Sequence, residues 1–302
     1  MPLVVAIACV CGFVKTFVYK SLIRVYNDGM TELLSDSQFN DFRKLIYDAS
    51  GITFSETNRS ILDSRLKERL REKNLTDLKD YYRLVTTNKE EFKVFLDSIT
   101  TNLTRFFRNQ PHFDALINYV IPHVIENKKQ AMGDRKIKIW SAGCSTGEEP
   151  YTLAMLLKDK LQAPYTFEIT ASDISLKSLM TAQKGYYPTS RIAGIPQNYL
   201  ASYFTKDAGG YQVKPDLMKT IKFDYHNLRY DMGARNLDIV FCRNVLIYFD
   251  EPAQKITIDN FWRSMAKHSY LFIGHSESLF GMDTKFEFLK TPWACLYEKN
   301  DK

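Results

Sequence analysis

Cysteine is scarce in this 302-residue chain, and its few copies form no pattern. The five are Cys9, Cys11, Cys144, Cys242 and Cys295. An odd number at irregular spacing gives no disulfide framework, and Cys9 and Cys11 are too close for a CxxC pair. Reduced thiols fit a cytoplasmic protein. Histidine is equally sparse, with five copies and neither an HxxxH nor an HExxH pattern, so no metal site is expected. No apolar run reaches the about 20 residues that span a bilayer. The longest, Leu3 to Val14, covers twelve residues and has no lysine or arginine before it, unlike a secretory leader. No stable membrane insertion is expected. Charge of one sign is also lacking, because 41 basic and 35 acidic residues leave a formal net charge of only +6. That balance admits an acidic partner without requiring nucleic acid. There is no long basic stripe with interleaved aromatics and no Asn/Asp-Pro-Pro-Tyr motif, so no nucleic-acid partner is expected.

What is present divides the chain into segments. Met30 opens a stretch that reads as an ordinary N-terminus, so residues 1–29 are expected to be a poorly ordered extension. Residues 30–97 carry apolar positions at spacings of three and four, as in Ile61, Leu62, Leu66 and Leu70, and predict a small all-helical domain. Residues 98–110 form a linker. From 111 to 302, short apolar strands alternate with helices: strands at Lys136–Trp140, Phe167–Ala171, Leu237–Cys242, Tyr270–Gly274 and Trp293–Glu298. This alternation predicts an α/β doubly wound, mostly parallel sheet. Residues 185–225 interrupt it with Gly, Pro and Tyr. Gly209-Gly210 looks like a hairpin turn, so this stretch is expected to be an inserted β-subdomain.

Four segments carry chemistry. Ser141-Ala142-Gly143-Cys144-Ser145-Thr146-Gly147-Glu148-Glu149 joins a strand to a helix through small residues. Glycine lets a backbone approach a ligand closely. The spacing is Gly-x-x-x-Gly rather than GxGxxG, and two carboxylates stand where a pyrophosphate would want a helix N-terminus. Negative charge there suits the ammonium and sulfonium of S-adenosylmethionine better than a phosphate. Asp173, at the end of the next strand, is placed to accept from ribose hydroxyls or to cap a helix. Arg243, Asn244 and Tyr248 follow the strand ending at Cys242, itself expected to be a small buried hydrophobe. The linker Thr100-Thr101-Asn102-Leu103-Thr104-Arg105-Phe106-Phe107-Arg108 is polar, basic and aromatic beyond a linker's needs.

Six ordered stretches, TTNLTRFFRN, WSAGCSTGEEPYT, ASDIS, HNL, FCRNVLIYF and IGHSES, resemble the CheR family of bacterial chemoreceptor protein-glutamate O-methyltransferases. The resemblance spans about Thr31 to Glu298 and implies a Rossmann-like S-adenosylmethionine-dependent methyltransferase fold. It implies transfer of a methyl group from S-adenosyl-L-methionine to receptor glutamates, leaving S-adenosyl-L-homocysteine. Cofactor contacts fall on Asn102, Thr104, Arg108, Gly143, Glu149, Asp173, Asn227, Leu228, Arg243 and Asn244. Arg108 and Tyr248 match the residues of the methyl-transfer centre. The partners implied are the cytoplasmic helices of methyl-accepting chemotaxis receptors, and the enzyme is expected to be a monomer. A basic helix in the family's N-terminal domain docks on the receptor, which points to Arg65 and Arg69 in the run Ser64 to Lys73. The hairpin through Gly209-Gly210 is shorter than in members that bind a receptor tether, which implies a tether-independent enzyme. The competing reading is a non-catalytic S-adenosylmethionine-sensing module in a signalling complex.

Overall fold

A computed structural model of the chain describes residues 34–100, 103–130 and 134–300. The extension 1–29 and Asn102 lie outside the described residues. The chain forms two compact units, one holding residues up to Phe42 and Phe54–Tyr82, the other Arg43–Thr53 and Arg83 onwards.

The smaller unit holds the start of α1 (Asp36–Ser50), all of α2 (Arg59–Lys73) and the start of α3 (Leu78–Thr87). Phe39, Phe42, Leu62, Leu66, Leu70 and Tyr81 are buried there. Leu62, Leu66 and Leu70 recur every four residues, which puts them on one helix face. Asn74, in the left-handed conformation at φ 55°, ends α2.

In the larger unit, Asn88 caps α4 (Lys89–Ile99) by accepting from Glu90 N and Glu91 N. Next come α5 (Gln110–Ala115), a π-turn (Leu116–Val120) and α6 (Ile121–Gln130). The sheet begins with β1 (Lys136–Ala142), α7 (Glu148–Lys160), β2 (Thr166–Asp173) and α8 (Leu176–Lys184). A small antiparallel sheet follows, from β3 (Tyr186–Pro188), β4 (Phe204–Lys206) and β5 (Gly210–Val213), with α9 (Gln197–Tyr203) between β3 and β4. Then come α10 (Pro215–Met218), β6 (Ile221–Tyr225), β7 (Leu237–Cys242), α11 (Glu251–Ser264), β8 (Met265–Ile273), β9 (Glu287–Lys290) and β10 (Cys295–Lys299).

The seven-stranded sheet has the order β6-β2-β1-β7-β8-β10-β9. The first five strands run parallel, while β10 is antiparallel to both β8 and β9. Alternate side chains go to opposite faces. On β7, Ile239 and Phe241 join one core with Ile139, Ile169 and Phe272, while Val240 and Cys242 join the other with Trp140, Leu271 and Phe261. Burial on both faces explains why this strand reads as a continuous apolar run. Asp238 is the exception on it. Burial pushes its carboxyl up, and the bonds from Lys138 N at 2.8 Å and Lys128 Nζ at 2.9 Å oppose this.

The expected insertion at 185–225 needs correction at its end. Ile221–Tyr225 is β6, the parallel edge strand beside β2, and not part of the small sheet. The hairpin is real: Asp207 accepts from Gly209 N and Gly210 N, both at 2.9 Å, and closes the β4–β5 turn. A Cβ at Gly210 would lie 2.4 Å from the Tyr187 carbonyl oxygen, so only glycine lets β3 and β5 meet there.

From β1 the chain goes outward to β2 and β6, then returns to β7 on the other side. The loops after β1 and β7 therefore part in opposite directions. The crevice between them, at the carboxyl ends of the strands, is where ligands bind in open α/β sheets.

Candidate active site

The loop after β1 is built from left-handed residues. Gly143 (φ 79°), Ser145 (φ 50°) and Gly147 (φ 94°) turn the chain sharply into α7. Gly143 N and Cys144 N both donate to the Ser172 carbonyl, at 2.8 and 2.9 Å, which ties the loop to the end of β2. A Cβ on Gly143 would stand 2.5 Å from Val245 Cγ2, so this loop touches the one after β7. Phe107, Asn109 and Asn244 also have positive φ, at 52°, 65° and 60°. Such backbone is costly for non-glycine residues and persists where surrounding contacts enforce it, often at functional sites.

Asp173 ends β2 and is buried. Its Oδ2 accepts from Ser145 N and its Oδ1 from Ser175 N, each at 2.8 Å. Burial pushes its carboxyl up; the two N–H donors oppose this, and the neighbouring carboxylate of Asp97 adds to it. Asp97 Oδ1 is itself enclosed and has no hydrogen-bond partner among the described residues.

The two glutamates opening α7 are buried and take different partners. Glu149 Oε1 accepts from Ser141 Oγ and its Oε2 from Arg243 Nε, both at 2.7 Å. Glu148 pairs with Arg191 at 2.5 Å and accepts from Thr146 Oγ1 at 2.7 Å. Each carboxylate thus meets a guanidinium. The acidic helix start is thus charge-compensated within the protein.

Arg243 is the hub of the crevice. Its Nη1 donates to the Arg108 carbonyl at 2.7 Å and lies 3.4 Å from His112 Nδ1. Its guanidinium lies over the rings of Phe113 and Phe241, 5.0 and 5.8 Å from their centroids. Burial and the Arg243 charge push His112 down to about 4, so the ring is neutral and can accept from the guanidinium.

Arg108, half-buried, donates from Nη1 to the Leu103 carbonyl at 2.8 Å. Thr104 lines a cleft of ≈ 530 Å³ with Arg105, Phe107, Ser190 and Arg191. Asn244 and Tyr248 are half-buried on the loop after β7, Tyr248 in a 3-10 turn. Leu228 is buried in the core, and its carbonyl accepts from Asn260 Nδ2 at 2.9 Å. Asn227 spends its amide on structure: Nδ2 donates to the Ala49 carbonyl at 2.7 Å and Oδ1 accepts from Arg229 N. Of the expected set, Glu149 after β1, Arg243 after β7 and the Arg108 carbonyl of the linker meet directly, whereas Asp173 ends β2 and Asn227 and Leu228 follow β6. Cys242 is fully buried, and burial pushes its thiol up, as expected of a small hydrophobe.

Arg69 does not stand at a surface. It is 5% exposed, its Nε lies 3.4 Å from Tyr81 Oη, and its guanidinium pairs with Glu72. Arg65 on the same helix is exposed. Docking through Arg69 is thus corrected: its charge is used inside the helical unit.

Sequence reasoning gave no role to His112, Arg191, Asp97 or Glu277. Their signal is being charged or polar at a buried contact, which spacing alone does not reveal. No helix among the described residues is long and apolar enough to cross a membrane.

Comparison with known proteins accounts for this arrangement. The profile described as "CheR methyltransferase, SAM binding domain" matches residues 102–295, and "CheR methyltransferase, all-alpha domain" matches 37–100. The chemotaxis protein methyltransferase of Borreliella burgdorferi is 37% identical over 265 residues, covering 85% of this chain and 92% of that protein. That of Escherichia coli is 35% identical over 269 residues, covering 85% and 90%. That of Salmonella typhimurium is 34% identical over 263 residues, covering 84% and 88%. With a helical unit followed by a doubly wound domain that binds S-adenosylmethionine, the chain belongs to the CheR methyltransferase family.

Proposed function

We propose that this enzyme methylates glutamate side chains on the cytoplasmic helices of methyl-accepting chemotaxis receptors, forming methyl esters and S-adenosyl-L-homocysteine. The observation that carries this reading is the Arg243 hub. One buried guanidinium ties the loop after β7 to Glu149 after β1 and to the Arg108 carbonyl in the linker.

The residues fit S-adenosyl-L-methionine. Asp173 offers carboxylate oxygens for ribose hydroxyls, and Asp97 leaves an enclosed acceptor beside it. Gly143 lets the loop after β1 close against Val245 of the loop after β7, where a side chain would collide. Asn102, Thr104 and Arg108 would hold the ligand from the linker, and Asn227, Leu228 and Asn244 from the loops after β6 and β7. Asn227 and Leu228 would act through backbone and apolar surface, since the Asn227 amide is already engaged.

Bound S-adenosyl-L-methionine supplies a methyl group already activated by its sulfonium. A glutamate side chain with a pKa of ~4.3 is already a nucleophile at neutral pH, so the chain needs no general base. Its own residues have to orient the incoming carboxylate and exclude water. Arg108 and Tyr248 are assigned that task, the first by charge and the second by its hydroxyl. Arg65 belongs to the surface that meets the acidic receptor helix. Such an enzyme works in the cytoplasm, as a monomer.

Incubation with receptor-bearing membranes and a methyl-labelled donor tests this. Base-labile methyl esters on receptor glutamates are expected. Label on another side chain, or donor binding without transfer, overturns the proposal.

A further inference from the structure

The motif Ile273-Gly274-His275-Ser276-Glu277-Ser278 has no role in the reading above. Its glutamate makes an unusual set of contacts. Glu277 Oε2 accepts from Gly274 N at 2.5 Å and from Asn244 N at 2.8 Å, and its Oε1 accepts from Ile247 N at 3.2 Å. One carboxylate therefore receives three backbone N–H groups. Two of them belong to the loop after β7, and the third to the loop that follows β8.

The neighbouring atoms leave no slack. A Cβ on Gly274 would lie 2.5 Å from Glu277 Oε2, 2.8 Å from Asn244 N and 3.0 Å from Asn244 Nδ2. Glycine at 274 is what lets the Asn244 backbone and amide come so close. Asn244 meanwhile holds φ at 60°, a conformation that needs enforcing. β7 and β8 pair in parallel, with Cys242 beside Ile273, so the two loops start side by side.

We infer that Glu277 is a positioning residue: it clamps the turn from Asn244 to Tyr248 and so sets the two side chains assigned to the cofactor and the transfer centre. Charge-assisted bonds from a carboxylate to backbone N–H groups are stronger than neutral ones and fix direction as well as distance. Glu277 touches neither reacting group. It acts through Asn244 and Tyr248, and the inference rests on their proposed roles. Freed of the carboxylate, the N–H groups of Asn244 and Ile247 lose their acceptor and the turn relaxes. A displacement of about 1 Å at a transfer centre costs on the order of a hundredfold in rate.

The test measures methyl transfer by the full-length protein with Glu277→Gln, Glu277→Asp and Tyr248→Phe. Glu277→Gln keeps the size of the side chain, so it should still fold, with a melting temperature lowered only modestly by the weakened bonds. Its turnover number should fall about tenfold, with the KM for receptor unchanged. Glu277→Asp, one methylene short of Ile247, should fall at least as far. Adding Glu277→Gln to Tyr248→Phe should cost no more than about twofold beyond Tyr248→Phe alone, because both act on one turn. Turnover of Glu277→Gln within about twofold of native overturns the clamp, and so do losses that multiply fully in the double variant. If Tyr248→Phe and Asn244→Ala themselves leave turnover and S-adenosyl-L-homocysteine affinity intact, the assignment of the site fails as well. Impairment in those two alone, with Glu277 variants unaffected, sinks only the clamp.

Discussion

Arg243 Nε donates to Glu149 Oε2 at 2.7 Å across the point where the sheet reverses its winding, and both side chains are buried. Removing one partner from such a pair strands a charge in a low-dielectric interior. Arg243→Ala should therefore lose about 3–5 kcal/mol of unfolding free energy in urea. Replacing both, as Arg243→Met with Glu149→Leu, should recover much of that loss, since two apolar groups strand no charge. The double variant should still bind no S-adenosyl-L-homocysteine by calorimetry. Stability recovered together with binding would mean that the pair serves packing alone.

Why this pair was hidden in the sequence is plain: 94 residues separate its members, and only the β1–β7 pairing brings them together. The local signals were legible. Small residues after β1 predict the turn, and the run Leu237–Cys242 predicts a strand, which the structure buries on both faces. β6 was missed because an edge strand with a mostly exposed pattern looks like its loop-rich surroundings. Arg69 was misread from charge alone. It lies three residues from Leu66, on the same helix face, and periodicity places it inward.

Gly143 and Gly281 give a controlled comparison. Both have positive φ, 79° and 82°, but only Gly143 would push a Cβ into a neighbour, Val245, whereas nothing lies within 4 Å at Gly281. Gly281→Ala should cost about 1 kcal/mol, the backbone conformation alone. Gly143→Ala should cost more than that and weaken S-adenosyl-L-homocysteine binding at least about tenfold. Calorimetry and thermal melts of the two variants check both numbers. Equal behaviour would show that the contact with Val245 yields freely.

His112 gives the fold an acid-side sensitivity. Burial, Arg243 and His275 hold it near 4, below its ordinary 6.5. The unfolded chain therefore binds a proton that the folded chain refuses, and stability falls as pH drops from about 6.5 towards about 4. The whole effect amounts to about 3 kcal/mol at most. Glu148 and Asp173, whose carboxyls are pushed up, work with the opposite sign, so a difference between variants isolates the histidine. His112→Gln keeps an acceptor for Arg243 and should lose less stability than the native protein between neutral pH and about pH 5. Parallel urea curves at the two pH values would assign the acid sensitivity elsewhere.

Arg65 and Arg69 sit one turn apart on α2 and should respond to charge reversal in opposite ways. Arg69 is packed against Tyr81 and Glu72 with 5% of its surface exposed, so Arg69→Glu buries a like-charge contact. It should cost about 3–5 kcal/mol, and receptor methylation would be lost through unfolding. Arg65 is exposed and, among the described residues, pairs with Glu68 at 3.4 Å, an arrangement that contributes little to stability. Arg65→Glu should leave the melting temperature unchanged and slow receptor methylation at low salt, with the difference fading once ions screen the surface. A rate deficit that persists at high salt would place the Arg65 effect on something other than electrostatic docking. No deficit at any ionic strength would remove this helix face from the receptor contact.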